Sequence, residues 1–152
     1  MSVRRFTSDS SSGTVEIGRQ IAALLSPPRF LVLRGELGAG KTTLVKGIAD
    51  ALDAADPDEV TSPTFTLIHE YQGKLPAELG ERPVVLCHLD LYRIENERQL
   101  ETLGLEELAA EDAIVLVEWG EKFPSVLKRS GGEIRIEHAG GDARAITLTL
   151  PD

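Results

Sequence analysis

Residues 35–42 read Gly-Glu-Leu-Gly-Ala-Gly-Lys-Thr, the Walker A spacing, and few strings of eight residues restrict a fold more tightly. Such a loop needs a strand to deliver it and a helix to leave it. Its glycines let the backbone turn sharply and aim N–H groups inward at phosphate oxygens. Lys41 reaches the outer phosphates as a mobile point charge, and the helix N-terminus adds its partial positive charge. The hydroxyl of Thr42 suits a magnesium ion. The flanks meet the requirement: Phe30-Leu31-Val32-Leu33 is a short apolar run that reads as a buried strand, and residues 42–52 read as a helix. Chance would produce the spacing in about one chain in 200 of this length; the flanks turn it from a merely glycine-rich turn into a phosphate site. The nucleotide contacts then fall to Glu36, Leu37, Gly38, Ala39, Gly40, Lys41, Thr42 and Thr43.

The remaining pattern is strands alternating with helices. Ser10-Ser11-Ser12 starts a helix, because serine hydroxyls accept from unpaired first-turn N–H groups. That helix presents Ile17, Ile21, Leu24 and Leu25 on one face, and Pro27-Pro28 ends it. Residues 53–59 are a polar loop, 65–71 a strand, 73–83 a surface excursion and 84–89 an apolar strand. Residues 95–110 predict two short helices broken near Gly104, and 114–117 a third apolar strand ending on Glu118. Residues 133–138 and 143–150 alternate on either side of Gly140-Gly141-Asp142, the pattern of a β-hairpin. The expected architecture is α/β: one P-loop NTPase domain over residues 1–152, with a mixed, mostly parallel sheet flanked by helices and a C-terminal hairpin.

Composition narrows the partners. With 25 acidic and 16 basic residues the net charge is −9, and no basic stripe interrupts it. Gripping nucleic acid unaided normally takes a positive surface, so any RNA role would run through a partner that supplies one. A single cysteine, Cys87, excludes an internal disulfide and any metal site built on several cysteines; inside an apolar run it reads as a small core residue. No segment approaches about 18 consecutive apolar residues, so no membrane span is expected. Two arginines follow Met1 with no apolar stretch behind them, unlike a signal peptide, so the expected location is cytoplasmic.

A P-loop enzyme also needs an acid at the end of a neighbouring strand, to hold the metal's water shell or orient the attacking water. Glu118, after four apolar residues, is the first candidate, and Asp90, after residues 84–89, is the second, near the γ-phosphate. His88 shares a strand face with Asp90 and reads equally as a partner of the site or as a satisfied histidine. Arg93 reads as a charge stabiliser or a surface ion pair. Thr61, Ser62, Pro63 and Thr64 lie where nucleotide switches carry a threonine to the metal, and suit an ordinary turn as well.

Four motifs stand in order: Gly-Glu-Leu-Gly-Ala-Gly-Lys-Thr-Thr at 35–43, Thr-Ser-Pro-Thr-Phe at 61–65, His-Leu-Asp-Leu-Tyr-Arg at 88–93 and Val-Glu-Trp at 117–119. In this combination the chain resembles the TsaE family, bacterial ATPases of tRNA threonylcarbamoyladenosine synthesis, over roughly residues 5 to 150. The resemblance implies weak intrinsic ATPase activity and assembly with TsaB and TsaD, the latter transferring a threonylcarbamoyl group to the adenosine beside the anticodon. It implies Mg2+ as cofactor and ATP as substrate, with Lys41 and the loop amides holding the phosphates. Thr42, Glu118 and Asp90 match metal-side positions, and Glu118, Asp90 and Lys41 match catalytic ones. Residues 61–65 match a switch-like loop. Trp119 would line the site or the partner face, and Ser11 and Ser12 would lie on the adenine side.

Two rival readings remain. A small-molecule P-loop kinase would need an acceptor pocket and usually an arginine-bearing lid, whereas 95–112 is strongly acidic. A nucleotide-gated interaction module would use hydrolysis only to reset docking. A GTPase would carry an Asn-Lys-x-Asp motif, which is absent.

Overall fold

The computed structural model describes residues 2–36, 38–63 and 67–151. Its elements run β1 (Ser2–Ser8), α1 (Ser11–Ala22), β2 (Arg29–Arg34), α2 (Lys41–Ala51), β3 (Ile68–Lys74), β4 (Pro83–Asp90), α3 (Glu97–Glu101), α4 (Leu105–Leu108), β5 (Ala113–Glu118), α5 (Pro124–Arg129), β6 (Glu133–His138) and β7 (Arg144–Leu150). The strands form one mixed sheet in the order β1-β7-β6-β2-β5-β4-β3. Its centre, β6-β2-β5-β4, is parallel, and its two flanks are antiparallel.

Alternation along the central strands sorts side chains into two layers. Leu31 and Leu33 of β2, Leu86 of β4, and Ile114 and Leu116 of β5 pack with Ile17, Ile21, Leu44 and Ile48 of α1 and α2. Phe30, Val32, Cys87, Leu89, Val115 and Val117 form the opposite layer with Leu100, Phe123 and Val126. A strand covered on both faces must be apolar throughout, and every residue of β5 is buried. Even Glu118 at its end is buried, so its environment has to satisfy the charge.

Two helical glycines set how closely α1 lies on the phosphate-loop helix α2. A Cβ on Gly47 would stand 1.9 Å from the Val15 carbonyl oxygen, and one on Gly18 would stand 2.3 Å from that of Leu44. The two backbones therefore touch at these positions, and only glycine fits.

The hairpin β6–β7 and the paired helices broken at Gly104 (φ 69°) lie where the sequence pattern places them. Other boundaries differ. Helix α1 stops at Ala22, and Leu24 and Leu25 follow in a turn that bonds back to Ile21 and Ala22, although Leu25 is still fully buried. Strand β3 begins at Ile68 and takes in Gly73 and Lys74, shortening the expected excursion. Its pairing with β4 over Ile68↔Leu89 to Lys74↔Pro83 outweighs the local turn propensity of glycine. Strand β1 and helix α5 had no prominent pattern. Most of β1 is exposed, as befits an edge strand, and its register on β7 runs from Ser2↔Leu150 to Ser8↔Arg144.

Candidate functional site

The phosphate loop leaves β2 and enters α2 with Gly38 and Gly40 in the left-handed region, at φ 78° and 105°. The Ala39 amide N–H donates to the Glu36 carbonyl at 3.0 Å. Glu36 and Gly38 are exposed, Ala39 is buried, and Leu37 lies outside the described residues. The loop is braced from β6 and β7. A Cβ on Gly35 would meet the Ile136 carbonyl oxygen at 2.8 Å, and Arg144 Nε donates to the Ala39 carbonyl at 2.8 Å. A cleft of about 410 Å³ opens beside the loop, lined by Arg34, Gly35, Glu36, Trp119 and Arg135 among others.

Lys41 folds back over its own loop and is 7% exposed. Its ammonium donates to the Gly35 carbonyl at 2.7 Å and stands 3.3 Å from Glu118 Oε1. The same Nζ lies 4.7 Å from the centroid of the Trp119 ring. Trp119 has φ 62°, and Tyr92 packs on its indole with centroids 5.3 Å apart.

The sheet register brings the two candidate acids together. Asp90 of β4 pairs with Glu118 of β5, and His88 pairs with Leu116. Side chains two apart share a face, so His88, Asp90 and Glu118 all lie on the sheet face that α2 covers. The second oxygen of Glu118 is 2.5 Å from His88 Nε2. Burial by itself would raise the Glu118 pKa. The hydrogen bond and charge of His88, with those of Lys41, outweigh it and hold the carboxyl below its ordinary value. Glu118 is therefore ionised, and His88 Nε2 is the donor. Asp90 Oδ1 accepts from the Tyr92 amide at 2.9 Å, which fixes the start of the following loop.

Thr61 and Ser62 are exposed and Pro63 is buried, while Thr64 lies outside the described residues. This segment is linked to Asp90 through the backbone. The Leu67 amide donates to the Pro63 carbonyl at 2.7 Å, and the Asp90 amide donates to the Leu67 carbonyl at 3.0 Å. Burial raises the Tyr71 phenol pKa, against a backbone hydrogen bond from Thr61.

Ser11 and Ser12 open α1, but Ser10 is its cap, accepting from the Gly13 amide at 3.0 Å. Ser12 Oγ lies 3.1 Å from Ser10 Oγ. What links this end of α1 to the phosphate loop is Arg144, which pairs with Ser8 across β1 and β7 and bonds Ala39.

Among the described residues, no three His, Cys, Asp or Glu side chains gather as a metal cage. Magnesium is commonly held by one or two carboxylates and substrate phosphates rather than by an all-protein shell. The candidate oxygens, the Thr42 hydroxyl and the carboxylates of Glu118 and Asp90, are all hard donors of the kind magnesium takes. Sequence reasoning missed Arg144 and the brace it provides. It also missed Lys122, whose ammonium donates to the carbonyls of Leu91, Tyr92 and Ile94 at 3.3, 2.9 and 3.0 Å. Neither stands in a motif. No helix of the described residues is long and apolar enough to cross a membrane.

A family model described as "Threonylcarbamoyl adenosine biosynthesis protein TsaE" matches residues 8–146. The tRNA threonylcarbamoyladenosine biosynthesis protein TsaE of Bacillus subtilis is 42% identical over 137 residues, covering 90% of this chain and 78% of the relative. The protein of the same name from Treponema pallidum is 33% identical over 144 residues, covering 95% and 98%. Among solved structures, the crystal structure of YdiB from Bacillus subtilis superposes with a TM-score of 0.67 at 30% identity, covering 98% of this chain and 86% of that one. The phosphate loop, the paired strand-end acids and these matches agree: the chain belongs to the TsaE family.

Proposed function

We propose that this protein binds ATP with Mg2+ at the 35–43 loop, hydrolyses it slowly, and serves threonylcarbamoylation of the adenosine beside the anticodon in tRNA, acting with TsaB and TsaD. The observation that carries the reading is the position of Glu118. It ends a buried parallel strand 3.3 Å from the loop lysine, with Asp90 beside it in register. The family's part in threonylcarbamoyladenosine biosynthesis supplies the pathway.

In this reading the loop amides and Lys41 exchange their internal partners for phosphate oxygens. Lys41 leaves the Gly35 carbonyl and Glu118, and its charge moves onto the outer phosphates. Glu118 stays ionised and, with Thr42, faces the metal, which supplies charge neutralisation at the phosphates. Asp90 orients water on the γ-phosphate side. The net charge of −9 keeps the protein off the tRNA backbone, so RNA contact falls to TsaD.

ATP turnover is measured on the protein alone and with TsaB and TsaD, together with modification of tRNA lacking the group. Glu118→Ala and Lys41→Ala are expected to abolish both turnover and modification. If Glu118→Ala stops turnover but modification proceeds, hydrolysis does not drive the transfer and the bound nucleotide only gates docking.

A further inference from the structure

We infer that His88 is a positioning residue for Glu118, holding one of its carboxylate oxygens so that the other faces the phosphate loop. The inference rests on the nucleotide-hydrolysing reading given above and deepens it.

His88 is fully buried, at 0% exposure. A histidine so placed normally satisfies both ring nitrogens, yet only one is satisfied here. Nε2 meets Glu118 Oε2 at 2.5 Å, while Nδ1 is buried with no hydrogen-bond partner. An unsatisfied ring nitrogen costs stability, so what this histidine contributes to the site lies at Nε2. The one polar contact the ring makes is Nε2 to Glu118 Oε2.

The geometry divides the carboxylate. Oε2 belongs to His88, and Oε1 lies 3.3 Å from Lys41 Nζ. A glutamate side chain has three rotatable bonds, and burial alone fixes none of them. The imidazole, by contrast, stands on a central strand whose neighbour to one side is β5, with Leu116 opposite, and to the other is β3, with His69 opposite. When Lys41 moves onto phosphate, Glu118 loses its ammonium partner and keeps only His88. The histidine then decides where the free oxygen points. Outer partners of this kind typically change metal affinity or activity by about 10–100-fold when removed.

The test uses the full-length protein and three variants. Glutamine places its amide nitrogen about as far from the backbone as imidazole Nε2, whereas asparagine falls short at the position of Nδ1. His88→Gln is expected to stay within about threefold of the parent in ATP turnover. His88→Asn and His88→Leu are expected to lose about tenfold or more and to need more Mg2+ for half-maximal rate. ADP affinity measured without Mg2+, which depends on the loop and Lys41, is expected to stay within about twofold in all three. A purely structural histidine would instead move melting temperature, ADP affinity and turnover together. Equal turnover and equal Mg2+ dependence in His88→Gln and His88→Asn would overturn the inference. Should His88→Leu fail to fold, the Gln and Asn pair, which differ by one methylene, still decide it. If the parent protein hydrolyses no ATP under any condition, the functional reading fails instead, an outcome visible before any variant is made.

Discussion

Arg144, at the start of the last strand, donates its Nε to the carbonyl of Ala39 inside the phosphate loop at 2.8 Å, across 105 residues of sequence. Its Nη1 donates to the carbonyls of Gly141 and Ala143 at 2.9 and 2.8 Å, so one guanidinium joins the hairpin turn to the loop. A walker loop binds phosphate through its backbone, and whatever fixes that backbone beforehand lowers the ordering cost on binding. Arg144→Ala is expected to weaken ADP binding about tenfold, equivalent to about 1.4 kcal/mol. Titration calorimetry reads this, and unchanged affinity would show that the loop holds its shape without the brace.

Helix α1 lies against α2 with backbone touching backbone at Gly18 and Gly47. Alanine is the better helix former by about 1 kcal/mol, so Gly47→Ala would stabilise α2 in isolation. In the folded protein its Cβ would sit 1.9 Å from the Val15 carbonyl oxygen, and the helices would have to separate. Overpacking of this kind costs about 3 kcal/mol. Urea unfolding is expected to show a net loss of about 2 kcal/mol, and a gain in stability would refute the close crossing.

Burial pushes the Cys87 thiol up to about 12, with Glu70 and Asp112 adding to the shift. The folded protein thus holds the thiol neutral where an unfolded chain would ionise it. Because the folded value is the higher one, this stabilisation is complete below pH 9 and is lost as pH rises from 9 toward 12. Native protein at pH 8 is expected to be inert to a thiol-specific reagent and to react fully once denatured. Above pH 9 the unfolding midpoint of Cys87→Ala is expected to fall less steeply than that of the parent.

Trp119 is the chain's one tryptophan, and Lys41 lies 4.7 Å from its ring. A cation this close to an indole alters its emission, and phosphate would draw the ammonium away. Nucleotide addition is therefore expected to change tryptophan fluorescence in the parent protein and to leave it unchanged in Lys41→Ala. A full response in Lys41→Ala would assign the signal to another contact.

Lys122 holds three carbonyls of the 91–94 segment, and Tyr92 of that segment packs on Trp119. Lys122→Met keeps the aliphatic stem and removes the donors, at a cost of about 1–2 kcal/mol. The expected result is a lower urea midpoint together with broader Trp119 emission; an unshifted midpoint would mean that water replaces the ammonium without loss.

The phosphate loop, the central strands, the hairpin and the two strand-end acids were legible in the sequence because each depends on a short pattern. Glycine spacing sets the turn, an unbroken apolar run sets a strand buried on both faces, and an acid ending such a run lies at the carboxyl end of its strand. Residues 64–66, which include part of the switch-like motif, lie outside the described residues. Strand β1 was not legible, since an exposed edge strand has little apolar alternation and gains its stability from pairing with β7. Nor could sequence choose between the two readings of His88. The parallel register of β4 on β5, which no local spacing encodes, sets Asp90 against Glu118 and brings His88 Nε2 to that carboxylate. Local spacing settles what a segment can do by itself, whereas a partner 30 or 105 residues away is chosen by packing, where no spacing rule reaches.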